Sequence, residues 1–115
     1  MRYVLLLYGE EGWMDGQSED EQRAHMARWG EYDMALREAG VAVAGDALDR
    51  TATARTVRRR DGKPIVTDGP FAETREQLGG FIEIEVDTID EAVEWARRCP
   101  VLAHGSAEVR PVAAM

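Results

Sequence analysis

Apolar positions recur along this chain at two spacings, one suited to strands and one to helices. Residues 3–8 are apolar at odd and even positions alike: Tyr3, Val4, Leu5, Leu6, Leu7 and Tyr8. A strand of that kind is covered on both faces, which predicts the middle of a sheet. Further on, His25, Trp29, Tyr32, Leu36 and Ala39 share one helical stripe, flanked by Met26. Ser18 precedes the stripe and Glu21 follows it at capping-box spacing, so each side chain satisfies a free N–H of the first turn. With Gly40 as the stop, the pattern predicts a helix over 19–39.

Residues 41–44 predict a second strand, ended by Gly45 and Asp46. Residues 53–60 predict a third, more polar one. Asp61-Gly62 is a hairpin signal that returns the chain over 63–67. Pro64 lacks a ladder N–H, so the returning strand belongs at an edge. Residues 81–86 alternate, with Ile82, Ile84 and Val86 toward the helices and Phe81, Glu83 and Glu85 on the other side. Thr88 and Glu91 repeat the capping pair. The helix they start buries Ile89, Ala92, Val93 and Ala96, leaves Trp95 off the stripe, and stops at Pro100. Residues 106–112 supply a final strand.

This order predicts an α+β fold: a ferredoxin-like two-layer sandwich, with two helices on one face of an antiparallel sheet. The other face would carry Tyr3 or Val4 together with Phe81. A monomer rarely leaves such a patch in water, so a homodimer packed sheet against sheet is expected.

At 115 residues the chain fits one domain, 1–115. Its net charge of −8 opposes binding to nucleic acid or to an anionic membrane, both of which need a basic field. No apolar run approaches the roughly 20 residues of a spanning helix. Cys99 is the only cysteine, so no internal disulfide forms and a cytoplasmic setting is expected.

The densest local signal is Asp68-Gly69-Pro70-Phe71-Ala72-Glu73-Thr74-Arg75-Glu76-Gln77-Leu78-Gly79-Gly80. Asp, Gly and Pro are turn residues, so this stretch predicts a constrained loop presenting Asp68, Glu73, Thr74, Arg75 and Glu76. It resembles the signature of the DGPF proteins, a branch of the YCII-related family, with Arg75 where that signature usually has Lys. Residues 1–9, 52–58 and 105–112 are similar to the family as well, so the resemblance spans the chain. It implies a dimeric α/β-barrel arrangement. Relatives include a dehydrochlorinase acting on a chlorinated hydroxyquinol. Arg23-Ala24-His25 resembles the family's Arg-x-His element, whose His is a proposed active-site residue. The Asp proposed as its partner corresponds to Cys99 here. DGPF genes commonly neighbour those of extracytoplasmic-function sigma factors, which implies a regulatory partner.

Two function classes follow. In the first, a small-molecule enzyme runs proton-transfer, lyase-like chemistry. His25 moves the proton, Asp68 or Asp46 orients it, and Arg75 or Arg110 holds an anionic group, with Thr74 lining the pocket. In the second, the chain is a non-catalytic module that binds a ligand or a sigma factor. Each residue also has a plainer role. His25 fits a core histidine, and Asp68 fits a residue that holds its own turn. Arg55, Arg58, Arg59 and Arg60 fit a charged edge strand better than a DNA-binding groove. Asp46, Glu83, Glu85, His104 and Arg110 are further pocket candidates. His25 and His104 lie far apart, and no His-x-x-x-His, Cys-x-x-Cys or phosphate loop occurs, so neither metal nor cofactor is expected.

Overall fold

The chain runs β1 (Arg2–Gly9), α1 (Glu19–Glu38), β2 (Ala42–Ala47), β3 (Arg55–Arg60), β4 (Lys63–Asp68), β5 (Gln77–Glu85), α2 (Ile89–Arg97) and β6 (Gly105–Pro111). The computed structural model describes residues 1–115. Four strands make one antiparallel sheet in the order β2-β5-β1-β6, while β3 and β4 pair only with each other. That order with two crossover helices is the ferredoxin-like α+β sandwich, and the β3–β4 hairpin is an arm inserted into it.

Both helices start at the predicted caps, but only the hydroxyl half of each capping box is made, and Glu91 accepts from the Asp87 N–H instead of that of Thr88. Ser18 Oγ accepts the Glu21 N–H at 3.1 Å, and Thr88 Oγ1 accepts the Glu91 N–H at 3.2 Å. Each bond satisfies a donor that has no partner within the helix. Gly40, at φ 71°, ends α1 in the left-handed conformation that residues with a Cβ disfavour. Asp61 and Gly62 both take positive φ in the hairpin turn of the arm, the geometry that matches strand twist.

The core lies on one side of the sheet. Tyr3, Leu5 and Leu7 of β1 pack with Ile84 and Val86 against Tyr32 and Leu36 of α1, and Ala92 and Ala96 of α2. Cys99 and Val101, in and beside the short 3-10 turn Pro100–Ala103, complete it. The Tyr32 hydroxyl donates to the Trp95 carbonyl at 2.7 Å, tying α1 to α2. Val4, Leu6 and Tyr8 point the other way and are only half-buried. So β1 is central, as its composition predicts, but a single chain covers only one of its faces. Val4, not Tyr3, occupies the open face.

Three strand boundaries differ from expectation, and two share a cause. β2 continues through Gly45 and Asp46 to Ala47, and β5 begins at Gln77, ahead of Gly79-Gly80. A Cβ on Gly45 would stand 3.0 Å from the Phe81 carbonyl oxygen, and one on Gly80 would stand 2.9 Å from that of Asp46. In the sequence these glycines stand at strand ends, yet they serve close approach of β2 to β5. The third strand starts at Arg55, later than predicted, because Thr51–Thr53 forms a 3-10 turn. Within α2, Ile89 is exposed, contrary to expectation, because it occupies the first turn beside the cap. Trp95 is half-buried against the core, with the Arg98 guanidinium 4.5 Å from its ring centre.

Candidate functional site

Small residues create a cavity beside α1. On the helix side of the β2–β5 half of the sheet stand Ala42, Gly45, Ala47 and Gly80, as their register with Ile84, Ile82 and Leu7 shows. None has a side chain that reaches α1. A cleft of about 1070 Å³ results, walled by Met26, Asp33 and Arg37 of α1, by β2, and by the loop after β1. That volume accommodates an organic ligand.

Four rings gather at one end of the cleft. His25 projects from α1 and is 2% exposed. Trp29, one turn on, donates its indole N–H to His25 Nε2 at 3.1 Å. Trp13 arrives on the loop after β1. It stacks on His104 with centroids 4.6 Å apart and planes 16° apart, and meets His25 edge-on at 5.1 Å. His25 and His104 lie 5.7 Å apart, centre to centre. Gly9 makes room for this assembly: a Cβ there would come within 2.6 Å of His104 Cε1 and Nδ1.

The Trp29 bond dictates the state of His25. An indole nitrogen only donates, so His25 Nε2 carries a lone pair. The neutral ring then holds its proton on Nδ1, which is buried and has no protein partner. Nδ1 of His104 is likewise buried and unpartnered. A buried polar atom left without a hydrogen bond typically costs about 1–3 kcal/mol. Both atoms are enclosed, on two residues that line the same end of the cleft. No third ligand-type side chain joins the pair to make a metal-binding group.

Burial lowers the His25 pKa below 6.5, and His104 and Arg28 push it the same way. The unfolded chain therefore takes up the proton first as pH falls. His25 leaves stability intact above its unfolded pKa of 6.5, and reduces it as pH drops from there to the folded value. Urea midpoints measured from about pH 7.5 down to about pH 5 are expected to fall through that window. In the folded protein, the imidazole's NMR titration midpoint is expected below 6.5. A midpoint above 6.5 would contradict the tautomer assignment.

Of the residues selected from the sequence, His25 lies at the aromatic end of the cleft and Asp46 forms part of its wall. The register places the Asp46 side chain with Phe81 and Leu6, on the face turned from the helices. Thr74 and Arg75 line a separate polar hollow with Glu73, Arg50 and Thr51. Asp68 lines neither cavity: it caps the root of the arm, with Arg55 Nε 3.1 Å from its carboxylate. Arg110 pairs with Glu108 at 2.8 Å on the open sheet face. Within one chain, then, the structure does not bring Asp68, Thr74, Arg75 or Arg110 to His25. Cys99 is buried in the core, and burial pushes its thiol up, toward the protonated form. Among the residues selected from the sequence, His104 is a minor candidate and Trp13 is absent. One signal for Trp13 was available: a bulky aromatic in a glycine-containing loop directly after the central strand.

No helix is long and apolar enough to cross a membrane. An uncharacterised protein of Rhizobium meliloti (strain 1021) is 38% identical over 115 residues, which cover 98% of this chain and 93% of the relative. Among solved structures, the fold is similar to 5-chloro-2-hydroxyhydroquinone dehydrochlorinase (TftG) from Burkholderia phenoliruptrix AC1100, in complex with 2,5-dihydroxybenzoquinone. That match has a TM-score of 0.53 at 16% identity, and covers 98% of this chain and 94% of the other. The model of the YCII-related domain matches residues 1–115, and with it the chain belongs to the YCII-related family.

Proposed function

We propose that the cleft beside α1 binds a small planar molecule bearing ring oxygens, and that the site carries out proton-transfer chemistry of the lyase kind. The observation that carries this reading is the pair of unpartnered imidazole nitrogens, His25 Nδ1 and His104 Nδ1, set among Trp13 and Trp29. Flat rings stack on such walls. His25 Nδ1–H donates to a substrate oxygen and stabilises negative charge developing there. The Trp29 bond keeps His25 from accepting a proton at Nε2, so His104 is the base. His104 takes a proton from the substrate, the released electron pair forms a new π bond, and an anionic leaving group departs with its bonding pair. The imidazolium then returns the proton to water. The quinone-type ligand of the structurally similar dehydrochlorinase supports the choice of probe.

The same reading makes the protein a homodimer. On the open face of the sheet, half-buried Val4, Leu6, Tyr8 and Phe81 are ringed by the ion pairs Arg2–Glu83 and Arg110–Glu108. An apolar centre within a charged rim is the usual anatomy of an interface. A cytoplasmic setting belongs to this proposal, in keeping with one buried free thiol. No observation favours the sigma-factor partner that the sequence resemblance implied.

Titration with 2,5-dihydroxybenzoquinone, followed by tryptophan fluorescence, tests the site. Saturable quenching is expected. His25→Ala and His104→Ala should each weaken binding about 10-fold, the effect of one lost hydrogen bond to a buried group. Equal binding by both variants and the parent protein would remove these two residues from the site.

A further inference from the structure

The β3–β4 arm is built for contact, yet touches little of its own chain. A two-stranded hairpin is marginal in water unless something covers it. Val57 and Val66 face each other across the arm, and they are 62% and 65% exposed. Pro64 shares that face. The opposite face leans on its own loop: Thr56 Oγ1 donates to the Gly69 carbonyl at 2.7 Å, and Arg58 donates to that of Phe71.

Global dimensions say the same. A folded 12.8 kDa monomer is expected to expose roughly 6,300 Å², whereas this chain exposes 8075 Å². Its radius of gyration is 16.2 Å, against roughly 13 Å for a compact domain of this length. The surplus area exceeds the roughly 800 Å² that each partner gives to a stable interface. Charge identifies the occupant. The arm carries Arg55, Arg58, Arg59, Arg60 and Lys63 against Asp61 and Asp68, in a chain of net charge −8. On the Val57–Val66 face Arg55 pairs with Asp68 and Arg59 has no ion-pair partner, while Arg58, Arg60 and Lys63 stand on the other face. A basic arm on an acidic body complements the body of another copy.

We propose that the arm's Val57–Val66 face lies on a second copy of this chain, so that each subunit of the dimer is clasped by its partner's arm. This rests on the homodimer reading above and adds an element to the sheet-to-sheet contact. Lys63, the only lysine, sits beside the arm's turn and provides the handle for a test.

Chains labelled with ¹⁴N and ¹⁵N are mixed, allowed to exchange, weighed by native mass spectrometry and treated with a zero-length carbodiimide. The expected results are a two-chain mass and Lys63–carboxylate peptides that pair light with heavy nitrogen. The Val57→Asp, Val66→Asp double variant should weaken the dimer at least 100-fold, while the far-UV circular dichroism of the body persists. A one-chain mass at high micromolar concentration overturns both the dimer and the arm. A two-chain mass with Lys63 joined only within its own chain overturns the arm alone, as does a double variant that dimerises like the parent. If Lys63 forms no cross-link, the double variant decides in the same way.

Discussion

Leu5→Ala is expected to destabilise the protein by about 3–4 kcal/mol, in the middle of the range for truncating a buried leucine. Leu5 is fully buried, at 0% exposure, on the central strand. Its register neighbours are Ile82 on β5 and Val109 on β6, and the helices close over it. The core is a single layer, and both strands flanking Leu5 are fixed by their ladders, so the void has little means to collapse. Domains of this size carry about 5–15 kcal/mol in all. The variant is therefore expected to lose a substantial share of the total stability. Urea denaturation of parent and variant gives the difference directly. A loss below about 1 kcal/mol would mean that the core relaxes freely, against the packing described here.

Gly105→Ala is expected to damage fold and site together. A Cβ on Gly105 would stand 1.9 Å from the Tyr8 carbonyl oxygen and 2.7 Å from Gly9 Cα. Both contacts are with backbone, which cannot swing aside as a side chain does. The end of β6 must leave β1 or the strands must separate, at a cost of about 3 kcal/mol. His104 directly precedes Gly105 and stacks on Trp13 over Gly9, so the displacement carries the imidazole with it. The expected results are a lower melting temperature and weakened quenching by 2,5-dihydroxybenzoquinone in whatever fraction stays folded. Unchanged melting with unchanged binding would contradict the close approach of β1 to β6.

Much of the fold was legible because its signals are local. Ser18 and Thr88 bond to residues within one turn, Asp61-Gly62 forms its turn by itself, and the alternation of Ile82, Ile84 and Val86 records which face is buried. Gly45 and Gly80 misled because the same residue serves a strand end and a close strand contact. Only the partner strand tells the two apart, and it lies more than 30 residues away in the chain. The candidate site was legible at His25, which shares a stripe with the core of α1. It was not legible at His104, whose meeting with His25 requires β1, α1 and β6 to be assembled first. Within one chain the conspicuous Asp68–Gly80 stretch is held largely by its own bonds. Gly69, at φ 93°, makes the turn, Asp68 meets Arg55, and the Gln77 side-chain amide donates to the Ala72 and Thr74 carbonyls. Glu76 also accepts from the Ser106 hydroxyl at 2.9 Å, fastening the loop to β6 beside the cleft.

The proposed site depends on a ligand reaching the unpartnered ring nitrogens of His25 and His104 from the cleft. Long-range ¹H–¹⁵N NMR spectra of the imidazoles, with and without 2,5-dihydroxybenzoquinone, test it most directly. Expected are a neutral His25 with its proton on Nδ1 in the free protein, and shifts of the Nδ1 signals of both histidines as the probe saturates. A His25 protonated on Nε2, or imidazole signals that stay fixed at saturating probe, would contradict it.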